Sequence, residues 1–145
     1  MLEATGQRAK SENIVYRALR KGELETIQAG QGILRPLGGR TTPTQHVMGV
    51  KHPSNPWIST TRSLESARFF ATHGNTKPLG PIVAIDLSQV QSSVLDVSTR
   101  ELAEQSLKHP RTVNFAIKHQ EVLISEIVNA EAIIDIVGEN NERKT

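Results

Sequence analysis

The sequence predicts an α+β fold, with short strands packed as two sheets or as one sheet with flanking helices. Many brief apolar runs bounded by Gly, Pro, Asn and Asp read as strands, and the few helix-period stretches fall mostly between the early ones. The last two apolar runs have no helical stretch between them, as a parallel, doubly wound sheet would require for its crossover. A length of 145 residues suits one core.

Residues 1–13 are mostly polar and read as a flexible lead, which places the domain at residues 14–137. Ile14 to Leu19 reads as the first strand. Gly22 to Gln31 reads as a weak helix with Leu24 and Ile27 on one face, broken by Gly30-Gln31-Gly32. Residues 35–56 hold four prolines and three glycines and read as one long functional loop. Pro53 and Pro56 fix its approach to Trp57, a packing anchor that also stands where it would wall a pocket. A short apolar run then ends in Ser59-Thr60-Thr61. A helix follows, because Leu64, Ala67 and Phe70 share one face and Ser63 is placed to accept from free N–H groups of the first turn. Side chains alternate along a strand, so at most one of Thr60 and Thr61 faces the same side as a site there.

Residues 71–81 read as a turn. Ile82 to Leu87 and Val94 to Val97 are strands, and Ser98-Thr99 caps a helix over Arg100 to Leu107. Residues 108–120 read as a basic, irregular approach to Glu121. Val122 to Val128 and Ile133 to Val137 are the last strands, before a polar tail at 138–145. Asp86 and Asp96, at strand ends, read as turn formers. Tyr16 and Val122 read as core.

Composition excludes several classes. Hydrophobic residues make up 37% and charged residues 22%, the balance of a soluble globular chain. No apolar run is long enough to span a bilayer, and the N-terminus lacks the basic start and apolar middle of a secretory signal. Cysteine is absent, which removes disulfides, thiol nucleophiles and thiolate metal sites. A net charge of +2 does not by itself mark a nucleic-acid binder. Three Phe, one Tyr and one Trp predict no stacking platform of several aromatics.

Arg17 lies on the first strand, Ser59-Thr60-Thr61 on another, and Glu121 opens a third. In that order they resemble the arginine, Ser-Thr-Ser, glutamate signature of mono-ADP-ribosyltransferases. The resemblance spans Ile14 to Val137. It implies two packed, mainly antiparallel sheets with a few short helices around an NAD cleft. It also implies that Arg17 holds NAD, Ser59 orients the glutamate, and Glu121 is catalytic. Each role suits its residue type. A carboxylate stabilises positive charge developing on the ribose, a guanidinium grips phosphate oxygens with two prongs, and a hydroxyl can hold the carboxylate in place. Thr60, Phe70, His73 and Trp57 are the other implied NAD contacts. Lys118, His119, Gln120 and Arg111 fall in the segment before the glutamate, which the resemblance implies selects the acceptor. His119 departs from the family, where many members have Gln or Glu two residues before the glutamate.

The resemblance extends to C-terminal toxin domains of bacterial polymorphic, Rhs-type effectors. It implies NAD as substrate without a metal, a protein or structured RNA as acceptor, and an immunity protein as partner. It further implies a monomer with no membrane attachment, delivered to act in the cytoplasm of a target cell. Two other readings stand beside it. His46, His52, Asn55 and His73 are the donors of a metal-dependent nuclease. The same fold without turnover is an NAD-binding module.

Overall fold

The computed structural model describes residues 11–35, 38–49 and 54–138. The expected lead before residue 11, the tail after Gly138 and His52 lie outside the described residues. The strands in chain order are β1 (Ile14–Ala18), β2 (Ile33–Leu34), β3 (Trp57–Thr61), β4 (Pro81–Asp86), β5 (Val94–Asp96), β6 (Glu121–Ser125), β7 (Ile127–Val128) and β8 (Ile133–Gly138). The helices are α1 (Glu23–Gln28), α2 (Pro43–Val47), α3 (Leu64–Ala71), α4 (Arg100–Ser106) and α5 (Pro110–Lys118). The main sheet has six strands in the order β5-β6-β3-β1-β4-β8, and β2 and β7 form a second, two-stranded sheet. Every pairing among the described residues is antiparallel.

The alternation of strand side chains sorts the core. Val15, Ile58, Val83, Ile85, Val122 and Ile124 leave one face of the main sheet and meet Ile33 and Val128 of the small sheet in one buried cluster. On the other face Ala67 and Ala71 of α3 pack on Ile82, with Tyr16 and Ala18 beside them. A third cluster, including Val97, Ala103, Val113 and Ala116, joins α4 to α5.

Three features depart from the sequence expectations. The loop at 35–56 contains α2, whose start is a capping box: the Thr42 hydroxyl accepts from the Gln45 N–H, and the Gln45 side chain accepts from the Thr42 N–H. The approach at 108–120 is a helix, α5, with Pro110 in its first turn and Val113 and Ala116 buried. The expected strand from Val122 to Val128 is two strands. Glu126, at φ 68°, turns the chain between them, and its N–H donates to the Pro56 carbonyl at 2.6 Å. One segment thereby leaves the main sheet and enters the small one. Gly32 permits the close approach on the other side, since a Cβ there would stand 2.0 Å from the Val128 carbonyl oxygen.

One irregularity positions the site. β1 pairs with β4 at five positions and β3 with β6 at five, but β1 meets β3 only at Tyr16 and Thr61. The main sheet is therefore split along its middle.

Candidate active site

A cleft of about 600 Å³ is lined by residues of β1 and β3 on either side of this split, together with residues of α2, α3 and α5. That volume lies within the range of small-molecule and cofactor sites. Arg17, Ser59 and Glu121 all line it.

Glu121 opens β6 and pairs across to Thr61, two residues along β3 from Ser59. The Ser59 hydroxyl therefore lies on the same face and donates to Glu121 Oε2 at 3.0 Å. The second oxygen, Oε1, is buried and has no hydrogen-bond partner. Burial pushes the Glu121 carboxyl up to about 7, against the opposing pull of the Ser59 hydroxyl. A buried acceptor without a donor costs stability, and such atoms are uncommon in folded proteins. Here the free oxygen belongs to a residue that lines the cleft, where a ligand hydroxyl can satisfy it.

His46, on α2, touches Ser59 from the other side. Its Nε2 lies 2.5 Å from the Ser59 Oγ, and its Nδ1 lies 2.8 Å from Asn55 Nδ2. The Trp57 N–H donates to Asn55 Oδ1 at 3.0 Å, which fixes the Asn55 amide with its NH₂ toward His46. Nδ1 then accepts, Nε2 carries the proton, and the Ser59 hydroxyl is free to donate to Glu121. Burial, followed by the charges of Arg20, Arg17 and Arg35, pushes His46 down to about 4, so the ring is neutral near pH 7. The result is a directed chain, Asn55 to His46 to Ser59 to Glu121. Sequence reasoning placed His46 and Asn55 only in a metal site; the capping box that starts α2 was the available signal for His46's position.

Arg17 is 3% exposed. Its Nε and Nη2 grip the two oxygens of Glu23 at 3.0 and 2.8 Å, and its Nη1 donates to the Ser59 carbonyl at 2.8 Å. The guanidinium thus ties β1 to β3 where the backbone ladder between them has ended. Arg35 Nη2 also reaches Glu23 at 3.1 Å. Burial works against the Glu23 carboxylate, yet Arg17, the Arg20 N–H and Arg35 hold it below its ordinary range. Arg20 and Lys21 line the same cleft with exposed side chains. One carboxylate thus stands against several cations, which makes this end of the cleft electropositive. Glu23, Arg20 and Lys21 were not singled out in the sequence, because single charges flanking a weak helix carry no spacing signal.

The other expected residues divide. Phe70, His73 and His119 line the cleft. Thr60 also lines the cleft, but it is 3% exposed and its hydroxyl already donates to the Val122 carbonyl, on the face opposite Ser59. Trp57 is not among the lining residues; its indole N–H donates to the Thr41 carbonyl at 2.8 Å and braces the segment before α2. Gln120 is exposed at φ 47° in the turn before β6. Lys118 is exposed at the end of α5 nearest Glu121, whereas Arg111 is in the first turn, roughly 10 Å further along the helix by its rise per residue. Asp86 and Asp96 are turn formers, accepting from the N–H of Ser88 and Ser98 at 2.9 Å each. The described donors considered for a nuclease, His46, Asn55 and His73, form no metal group. Both ring nitrogens of His46 are engaged, and among the described residues no three His, Cys, Asp or Glu are placed to share a metal ion.

Solved structures with the same architecture include an ADP-ribosyltransferase and several toxins. EcPltA matches at 17% identity and a TM-score of 0.62, over 87% of this chain and 75% of that one. A guanine-specific ADP-ribosyltransferase matches at 15% and 0.56, over 95% and 71%. Scabin toxin from Streptomyces scabies, in complex with NADH, matches at 16% and 0.54, over 96% and 79%. The fold is that of the ADP-ribosyltransferases. In sequence, residues 39–140 match a family described as a domain of unknown function (DUF7587), and the chain belongs to that family. No curated protein matches the sequence.

Proposed function

We propose that this chain is an NAD-dependent mono-ADP-ribosyltransferase toxin domain that moves ADP-ribose to a macromolecular acceptor and releases nicotinamide. The observation that carries it is the Ser59–Glu121 pair in the cleft, with the unpartnered Oε1 on a carboxylate that no cation among the described residues neutralises. Bound NAD would supply the glycosidic bond to be broken and the ribose on which positive charge develops. Glu121 Oε1 accepts from a ribose hydroxyl, and the carboxylate stabilises that charge. Ser59 holds Oε2, and His46 holds Ser59. Arg17 keeps the two halves of the sheet in register and, with Arg20 and Lys21, attracts the pyrophosphate. Phe70 and His73 flank the cleft on the side of α3. Delivery as the C-terminal part of a Rhs-type effector into a competing bacterium, by a type VI or similar route and with an immunity protein in the producer, rests on the family resemblance and on the toxin neighbours.

The direct test is release of nicotinamide from NAD by the purified chain, followed by labelled NAD with a bacterial lysate. Nicotinamide release and a labelled macromolecule are expected. A folded protein that releases none, with or without lysate, overturns the reading.

Ser59→Ala gives a second expected result. It removes the donor that favours the charged carboxylate, so the Glu121 carboxyl moves further up. The pH–rate profile for NAD cleavage shifts to higher pH, and the loss against wild type is larger at pH 7 than at pH 9. Parallel profiles with an unchanged midpoint would show that Ser59 does not tune Glu121.

A further inference from the structure

The three phenylalanines of the chain are an adjacent pair, Phe69 and Phe70, and the distant Phe115, and all three gather at one place. His119 is their centre. Its ring centroid is 6.0 Å from Phe69, stacked with an interplanar angle of 19°, and 4.8 and 4.7 Å from Phe70 and Phe115, both tilted. Phe69 and Phe70 themselves meet edge to face at 5.8 Å. Ser66 Oγ lies 3.1 Å from His119 Nδ1 and steadies the ring, which is 8% exposed. Burial, then the Lys118 charge, lowers its proton affinity, so the imidazole favours the neutral form. The phenylalanines differ from the histidine: they remain 44%, 38% and 40% exposed. Three rings this open, on a centre that is itself buried, form a preassembled aromatic surface rather than a core. Phe70, Phe115 and His119 line the cleft that holds Glu121, and Phe69 extends the surface outward.

We propose that this surface is the acceptor subsite, and that it stacks an unpaired nucleobase of single-stranded nucleic acid. The inference rests on the transferase reading for the word acceptor, but not for the stacking itself. Base–aromatic stacking suits any base, because each has a π-face, and nucleic-acid sites join such rings to cations that follow the phosphates. The two helices that present the rings carry Arg68, Arg111 and Lys118 against one acid, Glu65. A peptide acceptor held by apolar contact has no need of that cationic excess. Composition alone predicts no platform of several aromatics; the convergence of these few rings on His119 is what supports one.

In the reaction the C1′–N bond of NAD breaks and its electron pair leaves with nicotinamide. A nitrogen of the stacked base forms the new C1′–N bond. The proton displaced from that nitrogen passes to the Glu121 carboxylate and then to solvent, so the transfer is balanced without another reagent.

Two measurements on the same preparations test the proposal. The first is anisotropy of labelled single-stranded RNA and DNA oligonucleotides without NAD, for wild type and Phe69→Ala/Phe115→Ala. The second is release of nicotinamide and attachment of label with oligonucleotide or nuclease-treated lysate protein as acceptor. Far-ultraviolet circular dichroism and melting confirm that the variant is folded; Phe115→Leu replaces it if it is not. Expected are oligonucleotide binding that weakens at least ten-fold in the variant and label on nucleic acid. Label transfer should fall at least ten-fold relative to nicotinamide release in the same tube. The RNA and DNA arms show which nucleic acid is used. Equal binding by wild type and variant, or label on protein alone, overturns the platform while leaving the transferase reading intact. Nicotinamide release absent in every arm, with oligonucleotide binding lost in the variant, supports the platform and overturns the transferase.

Discussion

Glu121→Gln folds and loses NAD cleavage by on the order of 10²–10³-fold, the cost typical of removing one preorganised electrostatic group. The amide keeps the size of the side chain and its contact with Ser59, but it carries no charge to meet the ribose cation. The same change is expected to alter stability in the opposite direction. The Glu121 carboxyl sits at about 7 in the folded protein, against an ordinary 4.5. The folded state therefore holds this proton more tightly than the unfolded chain. Its stabilising contribution is complete below about pH 4.5 and is lost as pH rises through 7. Above that, wild type carries a buried charge that the variant lacks. Glu121→Gln should be more stable than wild type at pH 8.5, by on the order of 2–3 kcal/mol, with the gap closing toward pH 5. Nicotinamide release and thermal melting at the two pH values read both effects. Retained turnover, or equal melting at pH 8.5, removes Glu121 from its assigned role. A residue that loses activity and gains stability on neutralisation is one whose placement serves chemistry.

Glu23→Ala is expected to be the most damaging single change to the fold. It leaves Arg17, 3% exposed, without the carboxylate that grips it at two points. Stranding one member of a buried ion pair costs about 3–5 kcal/mol. For a domain of this size that lowers the melting temperature by on the order of 10 °C. The double variant Arg17→Met/Glu23→Leu removes both members of that pair and leaves only the less buried Arg35 without its carboxylate. It should therefore recover much of the stability, yet it should not recover NAD binding. Arg17→Lys falls between the two: charge remains, but one ammonium cannot serve both Glu23 oxygens and the Ser59 carbonyl at once. NAD affinity by titration calorimetry should weaken in step with the melting temperature. A Glu23→Ala protein that melts with wild type shows that the pair is not structural. Unchanged NAD affinity in Arg17→Lys shows that the fork has no part in the cleft.

Elements with strong local signals were legible. Ser63 caps α3, Ile82 to Asp86 lie in β4, and Thr99 caps α4, all from turn chemistry and alternation. The order of Arg17, Ser59 and Glu121 along three strands was legible too, but not their faces. Ser59 and Glu121 share one face of the main sheet, whereas Arg17 alternates with Tyr16 onto the face of Val15 and Val83. What was missed depended on pairs distant in sequence. The Arg17–Glu23 grip, the contact of His46 with Ser59 and the ring of phenylalanines about His119 leave no periodic trace. Helix α5 was different, since Pro110, Val113 and Ala116 stand at helical spacing; a basic composition masked a readable pattern. The corner at Glu126 was invisible because a non-glycine residue takes the left-handed turn there, at φ 68°.

The split sheet has a consequence for the birth of the protein. Ser59 and Glu121 are 62 residues apart in sequence, and Arg17 and Ser59 are 42 apart. β6, which carries Glu121, lies between β3 and β5, both made earlier. A growing chain therefore exposes the first half of its site on the ribosome while lacking the carboxylate that would arm it. Contacts this distant form late, after the loops between them have closed. If the transferase reading holds, NAD cleavage is expected only once β6 has paired with β3 and brought Glu121 to Ser59. Any factor that holds the chain before β6 inserts meets a site without its carboxylate.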